Sequence, residues 1–309
     1  MTMTTDSPKR KTLVVILGAT ATGKTDIGIH LAQAFQSEII SSDSRQIYRE
    51  MSIGTAKPTA EELAAVPHHF IGTRSVTEDY SAGRYEEDAL RCIGELFHRH
   101  DILFLVGGSG LYIDALCYGM DALPPTDPML RQQLIQELEQ QGLEALTLRL
   151  RNLDPIYYEQ VDRANPQRII RALEVCLQTG KPYSSLRKQT VKQRPFRILK
   201  IGIQMPRVQL YERIDRRVIH MMEQGLEQEV RSLIPLRHYN ALQTVGYKEL
   251  FEFFDGKISR EEAVSLIQRN SRRYAKRQET WFRRDPDTVW MDGNAFCAEK
   301  IEKYIREFV

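Results

Sequence analysis

TLVVILGATATGKT, residues 12–25, is the stretch that decides the fold, because an apolar run leads there into a glycine-rich turn. The run predicts a buried parallel strand, and helical spacing follows from about Lys24 to Phe35. The turn matches G-x-x-x-x-G-K-[ST] at every fixed position. Its glycines let backbone amides surround phosphate oxygens, and the dipole of the following helix adds positive potential there. The predicted phosphate cradle consists of Gly18, Ala19, Thr20, Ala21, Thr22, Gly23, Lys24 and Thr25.

Two side chains of this cradle carry specific expectations. Lys24 is expected to neutralise terminal phosphate charge, and the Thr25 hydroxyl is expected to ligate Mg²⁺, the one cofactor predicted. The motif indicates a phosphate ligand and an ATP-binding pattern, but it does not specify ATP. An ordinary P-loop ATPase holds Mg²⁺ with an Asp at the end of a hydrophobic strand. Here that strand, ILFLV at 102–106, is followed by Gly107-Gly108 and no acid.

An acid lies instead after the next strand along the chain. The sequence EIISS at 38–42 predicts a short strand, and Asp43 follows it directly. We expect this strand to neighbour the P-loop strand, which would put Asp43 at the carboxyl edge of the sheet, where α/β enzymes bind ligands. A carboxylate in that position predicts a general base for an acceptor nucleophile. The alternative is that Asp43 only caps a helix or turn.

The rest of the chain predicts an α/β fold. Strand signals return at about 197–203 and 288–292, helices separate them, and the strands are apolar through most of their length, which is typical of a parallel sheet covered on both faces. Between Asp127 and Thr179 the spacing is helical only. We therefore predict a P-loop NTPase-like parallel sheet with helices on both faces. Residues 1–118 and 197–309 would form this core with its C-terminal helices, and residues 119–196 a mostly helical insertion domain.

Charge is distributed unevenly along the chain although the net charge is only +2. Residues 1–118 hold 11 basic against 15 acidic residues, whereas residues 119–200 hold 13 against 9. Lys181 to Lys200 contains seven basic residues and no acidic one, which indicates either a polyanion contact or a solvated basic loop. Neither a membrane span nor a signal peptide is visible, so a cytoplasmic protein without a membrane partner is expected. The four scattered cysteines favour reduced thiols.

Together these residues resemble the tRNA dimethylallyltransferases, also called tRNA isopentenyltransferases. Four further segments extend the resemblance over nearly the whole chain: GGSGLY at 107–112, NPQRIIR at 165–171, GYKEL at 246–250 and YAKRQETWFR at 274–283. Ser109 departs from the Thr that is usual in this family, although the hydroxyl is kept. The chain stops without the Cys/His zinc-finger extension of eukaryotic relatives, so it resembles the bacterial form.

The resemblance implies transfer of a dimethylallyl group from dimethylallyl diphosphate to the exocyclic N6 amine of a tRNA adenosine. That adenosine lies just 3′ of the anticodon, and diphosphate is released. The partners implied are dimethylallyl diphosphate and the anticodon stem-loop of tRNA, gripped by the helical insertion. RNA contacts on one face of a single chain require no dimer, so a monomer is expected.

The resemblance also implies roles for individual residues. Asp43 would be the general base, while Lys24 and Arg217 would stabilise charge on the diphosphate, with Arg213 a less certain helper. The implied tRNA contacts are Asp43, Ser44, Arg45, Gln46, Ser109, Arg131, Gln167, Arg168, Ile169, Ile170 and Arg171.

Several of these side chains have a plainer interpretation. Arg217 is also compatible with a solvated helical arginine paired with Glu212 or Asp215. Arg168 and Arg171 share a predicted helix face, as phosphate contacts would, but could equally pair with Asp162 or Glu174. Tyr274 and Trp281 stand seven residues apart, a spacing that favours core packing over stacking on RNA bases.

Two other functions fit parts of the sequence. A small-molecule kinase would also use a P-loop, Mg²⁺ and an Asp after the second strand, but it leaves the basic helical insertion without a role. A nucleic-acid-binding ATPase or switch would lack its usual Mg²⁺ anchor, because no acid follows Val106.

Overall fold

The computed structural model of the chain describes residues 11–188, 190–293 and 297–309. The polar start at 1–10, on which the expectation about a signal peptide rests, lies outside these ranges, as does position 189 of the basic run. No helix among the described residues is long and apolar enough to cross a bilayer.

A six-stranded parallel sheet forms the centre of the fold. Every residue of the first strand is buried, so both faces of the sheet are covered, as predicted. The fold class is therefore confirmed as a P-loop NTPase-like α/β fold. The strands are β1 (Thr12–Gly18), β2 (Ile39–Ser41), β3 (His68–His69), β4 (Ile102–Gly107), β5 (Arg197–Gln204) and β6 (Val289–Asp292).

Helices follow most strands and fill the region between β4 and β5. The helix predicted from about Lys24 to Phe35 and the helical stretch predicted between Asp127 and Thr179 are both present, whereas a helix at residues 247–254 was not predicted. The helices are α1 (Lys24–Ala34), α2 (Ala60–Ala65), α3 (Ala82–Leu96), α4 (Gly110–Tyr118), α5 (Pro128–Leu153), α6 (Pro155–Gln160), α7 (Pro166–Thr179), α8 (Tyr183–Leu186), α9 (Arg207–Glu223), α10 (Leu226–Ser232), α11 (Tyr247–Phe254), α12 (Arg260–Phe282) and α13 (Cys297–Phe308). Short 3-10 turns lie at Ile234–Leu236 and Asn240–Leu242.

The strand order is β3-β2-β4-β1-β5-β6, which corrects one expectation. β2 does not neighbour β1, because β4 lies between them and pairs with both. Packing explains why the chain crosses over β4 on its way from β1 to β2. A Cβ at Gly28 of α1 would lie 2.7 Å from Val106 Cγ2, so α1 packs directly on β4. Asp43 still follows the carboxyl end of β2 at the same sheet edge as the P-loop, so its predicted place survives the corrected order.

The chain forms two compact units by its internal contacts. The sheet unit comprises Met1–Cys117 and Gln193–Val309, and the helical unit comprises Tyr118–Lys192. Side chains such as Ile16, Phe104 and Ile301 form one apolar layer of the sheet unit. In the helical unit, Leu146 and Leu173 belong to a separate core between α5 and α7.

Candidate active site

The loop between β1 and α1 has the backbone shape that a phosphate cradle requires. A Cβ at Gly18 would lie 2.6 Å from the Ile203 carbonyl oxygen, so only glycine fits there. Gly23 has a φ of +85° and precedes the first residue of α1. Ala21 also has a positive φ, +66°, which a residue with a side chain rarely adopts. The loop therefore holds a constrained conformation around the helix N-terminus.

Lys24 folds back over this loop. Its Nζ donates to the Ala19 carbonyl oxygen at 2.5 Å. Burial, followed by the nearby Arg217 guanidinium, lowers the pKa of Lys24 to about 7, although Asp43 acts in the opposite direction. Lys24 and Arg217 therefore lie close together, and the single carboxylate of Asp43 does not balance both positive charges. This arrangement favours binding of an anion.

Arg217 reaches the cradle from α9. Its Nη1 donates to Thr20 Oγ1 at 3.1 Å, and burial lowers the pKa of the guanidinium. Among the described residues Arg217 pairs with neither Glu212 nor Asp215, and Asp215 pairs with Arg272 instead. Arg213, one turn earlier, lines the same cavity but remains exposed. Helix α9 therefore places one arginine on the phosphate loop and a second at the cavity mouth.

Asp43 occupies the turn after β2 and is both a turn residue and a site residue. Its Oδ1 accepts the backbone N–H groups of Arg45 at 2.8 Å and Gln46 at 3.2 Å. Ser109 Oγ accepts the Ser44 N–H at 2.9 Å, which ties the turn to the end of β4. Among the described residues both side-chain hydrogen bonds of Asp43 are made by Oδ1, so Oδ2 is the oxygen left for a substrate.

Two adjoining cavities meet at Asp43. The large cavity, about 910 Å³, contains the P-loop side chains Lys24 and Thr25. The small pocket, about 120 Å³, is mainly apolar. Its apolar lining comprises Ile214, Val218, Met221, Leu226, Val245 and Ile267. Both cavities are lined by Thr20, Asp43, Thr55, Arg217 and Met221. A charged ligand group in one cavity can therefore continue into an apolar group in the other.

Thr25 is the side chain expected to ligate Mg²⁺, and it lines the large cavity. In the described part of the chain no group of three His, Cys, Asp or Glu side chains could hold a metal by itself. This donor set suits Mg²⁺, which keeps several waters and binds through few protein ligands plus substrate phosphates. The residues present fit the ion if the diphosphate supplies the remaining oxygens.

Gln278 of α12 is a site residue that sequence reasoning missed. Its Oε1 accepts the Thr20 N–H at 2.8 Å, and its Nε2 donates to the Gly108 carbonyl oxygen at 2.8 Å. A buried amide thus joins the phosphate loop to the end of β4. Its segment was singled out for its resemblance to a family, but no local pattern could reveal partners 258 and 170 residues away.

Two of the predicted tRNA contacts in the sheet unit have side chains that already form hydrogen bonds within the protein. The Gln46 side chain donates to the carbonyl oxygens of Thr55 at 3.1 Å and Ala56 at 2.9 Å. The Ser109 hydroxyl donates to Ser44 Oγ at 3.1 Å. Arg45 lines the small pocket. Gln46 also lines the large cavity, so Arg45 and Gln46 both border a cavity, as substrate contacts require.

Tyr274 does not pack in the core, so that prediction is wrong. The residue is 37% exposed and lines the small pocket beside Asp43 and Arg45. Loss of hydration and the Asp43 carboxylate raise the pKa of Tyr274 to about 12, so its phenol stays protonated near neutral pH. Trp281 is partly buried and donates to Asp114 Oδ2 at 2.9 Å. The seven-residue spacing did not distinguish these two environments.

In the helical unit the predicted tRNA residues have different environments. Arg131 Nη1 lies 3.0 Å from one Glu174 oxygen and Arg171 Nη1 lies 3.2 Å from the other. The Glu174 side chain is fully buried, so the plainer interpretation holds for Arg171. Ile169 and Ile170 are buried in this unit, which removes their side chains from contact with RNA. Exposed side chains remain at Gln167 and Arg168.

Comparisons with known proteins show what the chain is similar to. A family model described as "IPP transferase" matches residues 46–285. The tRNA dimethylallyltransferase 2 of Porphyromonas gingivalis is 54% identical over 92% of this chain and 95% of its own. The crystal structure of a tRNA isopentenylpyrophosphate transferase from Bacillus halodurans is 38% identical, with a TM-score of 0.70 over 97% of this chain and 95% of its own. A eukaryotic dimethylallyltransferase described as acting on tRNA gives 26% identity and a TM-score of 0.76 over 96% of this chain and 78% of its own.

Proposed function

The chain belongs to the IPP transferase family, the tRNA dimethylallyltransferases, and from this premise we propose how its own residues carry out the reaction. The enzyme transfers a dimethylallyl group to tRNA, and the relatives give no support to the small-molecule kinase alternative. The finer parts of the proposal are the donor site, the acceptor atom and the residue roles. They rest on one observation: Arg217 and Asp43 line both a large polar cavity and a small apolar pocket, and Lys24 lines the large cavity near them.

The donor diphosphate binds in the phosphate cradle. The N–H groups of the loop donate hydrogen bonds to its oxygens, and the Lys24 ammonium and Arg217 guanidinium lie within reach of the same place. These cations stabilise the charge that builds on diphosphate as it leaves, which is where preorganised positive groups are most effective. Mg²⁺, bound through Thr25 and the phosphates, would supply further Lewis-acid stabilisation of the leaving group.

The five-carbon chain of the donor lies in the small pocket. A dry apolar cavity of about 150 Å³ holds one benzene molecule, so a pocket of about 120 Å³ suits a group of five carbons. This placement puts the reacting carbon at the junction, beside the residues that line both cavities. The apolar lining also keeps water from a carbon that gains positive character.

Asp43 accepts the proton of the attacking amine. The lone pair of the adenosine N6 forms the new N–C bond while the C–O bond breaks and its electron pair leaves with diphosphate. The N6 proton passes to Asp43 Oδ2 during or after bond formation, because an aromatic amine is too weakly acidic to ionise first. The base must be splayed out of its stack to reach this position.

The acceptor is the adenosine 3′ of the anticodon, and the anticodon stem-loop is the part of tRNA that binds. We further propose that the enzyme acts as a monomer in the cytoplasm, where its substrate is found. Exposed cations on both units support the binding of tRNA, since they can contact its phosphates. They include Arg168 in the helical unit and Arg273 in the sheet unit.

The test is a transfer assay with labelled dimethylallyl diphosphate, Mg²⁺ and tRNA that lacks the modification. Label should enter wild-type tRNA and not a transcript in which guanosine replaces the adenosine 3′ of the anticodon. Lys24→Ala should lose the label, and chelation of Mg²⁺ should reduce it. Absence of label together with turnover of ATP would contradict the proposed function.

A further inference from the structure

A loop formed by Ser52–Lys57, here called the wall loop, lines both cavities. Five of its residues border the large cavity, and Gly54 and Thr55 border the small pocket. Thr55 borders both, as Asp43 and Arg217 do. The width of the small pocket on this side therefore depends on where the wall loop is held.

Glu229 of α10 holds one end of the wall loop. Its Oε2 accepts the N–H groups of Ser52 at 2.9 Å and Ile53 at 2.7 Å, and its Oε1 accepts the N–H of Gly54 at 3.0 Å. Three consecutive amides thus converge on one carboxylate. Hydrogen bonds to an ionised acceptor are about twice as strong as neutral ones, so the attachment is firm.

Tyr247 of α11 makes the attachment tight. Its hydroxyl donates to Glu229 Oε1 at 2.7 Å, and its side chain is fully buried. A Cβ at Gly54 would lie 2.6 Å from the Tyr247 ring, so the loop is pressed against that ring. Burial, then Glu229, raises the pKa of Tyr247 well above its usual range, which keeps the phenol protonated as a donor.

The other end of the wall loop is held from the Asp43 turn. Gln46 donates to the carbonyl oxygens of Thr55 and Ala56, and the Thr55 hydroxyl donates to the Met51 carbonyl oxygen at 2.8 Å. The loop is therefore fixed between the turn that carries the base and the helix that carries Glu229. Both attachments hold residues that border the small pocket, since Glu229 holds Gly54 and Gln46 holds Thr55. Glu229 itself lines neither cavity, so it acts on the pocket through the loop.

We propose that Glu229 is a positioning residue that selects the length of the donor chain. By holding Gly54 against Tyr247, and the neighbouring Thr55 with it, Glu229 keeps the small pocket at the size of a five-carbon group. The inference rests on the proposed function, because it takes the small pocket as the site of the dimethylallyl chain. Without the carboxylate the three amides form hydrogen bonds with water and the wall loop moves outward. The small pocket then has room for a ten-carbon chain.

Glu229→Gln and Tyr247→Phe test this role, with Glu227→Gln as the matched control. Glu227 lies on the same helix but pairs with Arg231 and Arg260, and it lines neither cavity. The first measurement is the ratio of kcat/KM for dimethylallyl diphosphate to that for geranyl diphosphate. Loss of one charge-assisted contact should lower this ratio about tenfold in Glu229→Gln and by less in Tyr247→Phe.

The second measurement is hydrogen exchange at the amides of Ser52, Ile53 and Gly54. We expect exchange about tenfold faster in Glu229→Gln and unchanged in Glu227→Gln, on the scale of one lost charge-assisted hydrogen bond. A general loss of stability would speed exchange everywhere and leave the donor ratio unchanged, so the two measurements together separate positioning from folding.

The outcomes distinguish this inference from the proposed function. An active Glu229→Gln enzyme with the wild-type donor ratio, or with protected amides at 52–54, would overturn the role of Glu229 alone. Failure of the wild-type enzyme to use any prenyl diphosphate would overturn the proposed function and this inference with it. Should Glu229→Gln fail to fold, Tyr247→Phe removes a single hydrogen bond to the same oxygen and decides the question by the same ratio.

Discussion

The two oxygens of the Asp43 carboxylate differ in their hydrogen bonds. Oδ1 closes the turn by accepting the N–H groups of Arg45 and Gln46, and Oδ2 is available to a substrate. The expectation of a turn residue and the expectation of a site residue are therefore compatible. Because the two oxygens differ in this way, a substitution can remove the proposed base and still keep the hydrogen bonds of the turn.

Asp43→Asn keeps an oxygen that can accept both turn hydrogen bonds and removes the proton acceptor. We expect the single-turnover transfer rate to fall by about 10²–10⁴, the usual contribution of a general base, while the Kd for tRNA changes less than about twofold. Asp43→Ala is the control, since it also opens the turn and should weaken tRNA binding as well. An Asn variant with near-normal transfer would remove Asp43 from the role of base.

The lowered pKa of Lys24 predicts that donor binding depends on pH. Its pKa is lowered to about 7, first by burial and then by Arg217, because both disfavour the charged form. The ammonium that pairs with diphosphate is thus present below about pH 7 and is lost from the free enzyme as pH rises. We expect the Kd for dimethylallyl diphosphate, measured by calorimetry from pH 6 to 9, to rise above pH 7 by up to about tenfold per unit. Lys24→Gln should abolish that rise, and a persistent rise in this variant would assign it to another group.

At the scale of elements, apolar runs and helical spacing were enough to predict most strands and long helices. The same patterns do not determine which strands are neighbours, so β4 between β1 and β2 was not foreseen. The eight-residue helix α11 was not predicted because it is short and rich in phenylalanine, a composition that is also common in strands. Yet Tyr247 at its start carries part of the proposed donor selection, so an element that spacing overlooked matters to the site.

Helix α7 shows the same limit for charged side chains. The motif at 165–171 suggested a set of RNA contacts. Glu174, one turn later, instead forms ion pairs with Arg131 and Arg171 inside the helical unit. A buried carboxylate must be paired, and sequence alone does not say which arginines pair with it. Arg168 is left exposed on the same helix.

Arg131→Ala and Arg168→Ala should therefore differ in kind. Arg131→Ala leaves the buried Glu174 with one arginine fewer and should destabilise the protein by about 1–3 kcal/mol in denaturant unfolding, as well as weaken tRNA binding. Arg168→Ala should weaken tRNA binding with unfolding unchanged within about 0.5 kcal/mol. Equal stability of the two variants would show that the Glu174 pairing contributes nothing measurable.

Over the whole molecule, charge is arranged by region and not by net value. The chain carries only +2, yet the run at 181–200 is acid-free and the exposed face of α12 carries several cations. These exposed cations are Arg269, Arg273, Lys276 and Arg277. The sequence indicated both basic regions, whereas the hydrogen bonds of Gln278 with Thr20 and Gly108 required the fold.

Binding of tRNA should weaken steeply with salt, because each phosphate contact releases counterions. We expect log Kd to rise linearly with log salt concentration, with a slope of roughly 0.7–0.9 per phosphate contacted. Lys276→Ala should reduce that slope by about one if its ammonium meets a phosphate. Lys303→Ala is the matched control, since Lys303 is a lysine of α13 whose side chain is 80% exposed and which lines neither cavity. Equal slopes in the two variants would mean that the cations of α12 act outside the tRNA interface, and that the basic run at 181–200 must supply the phosphate contacts.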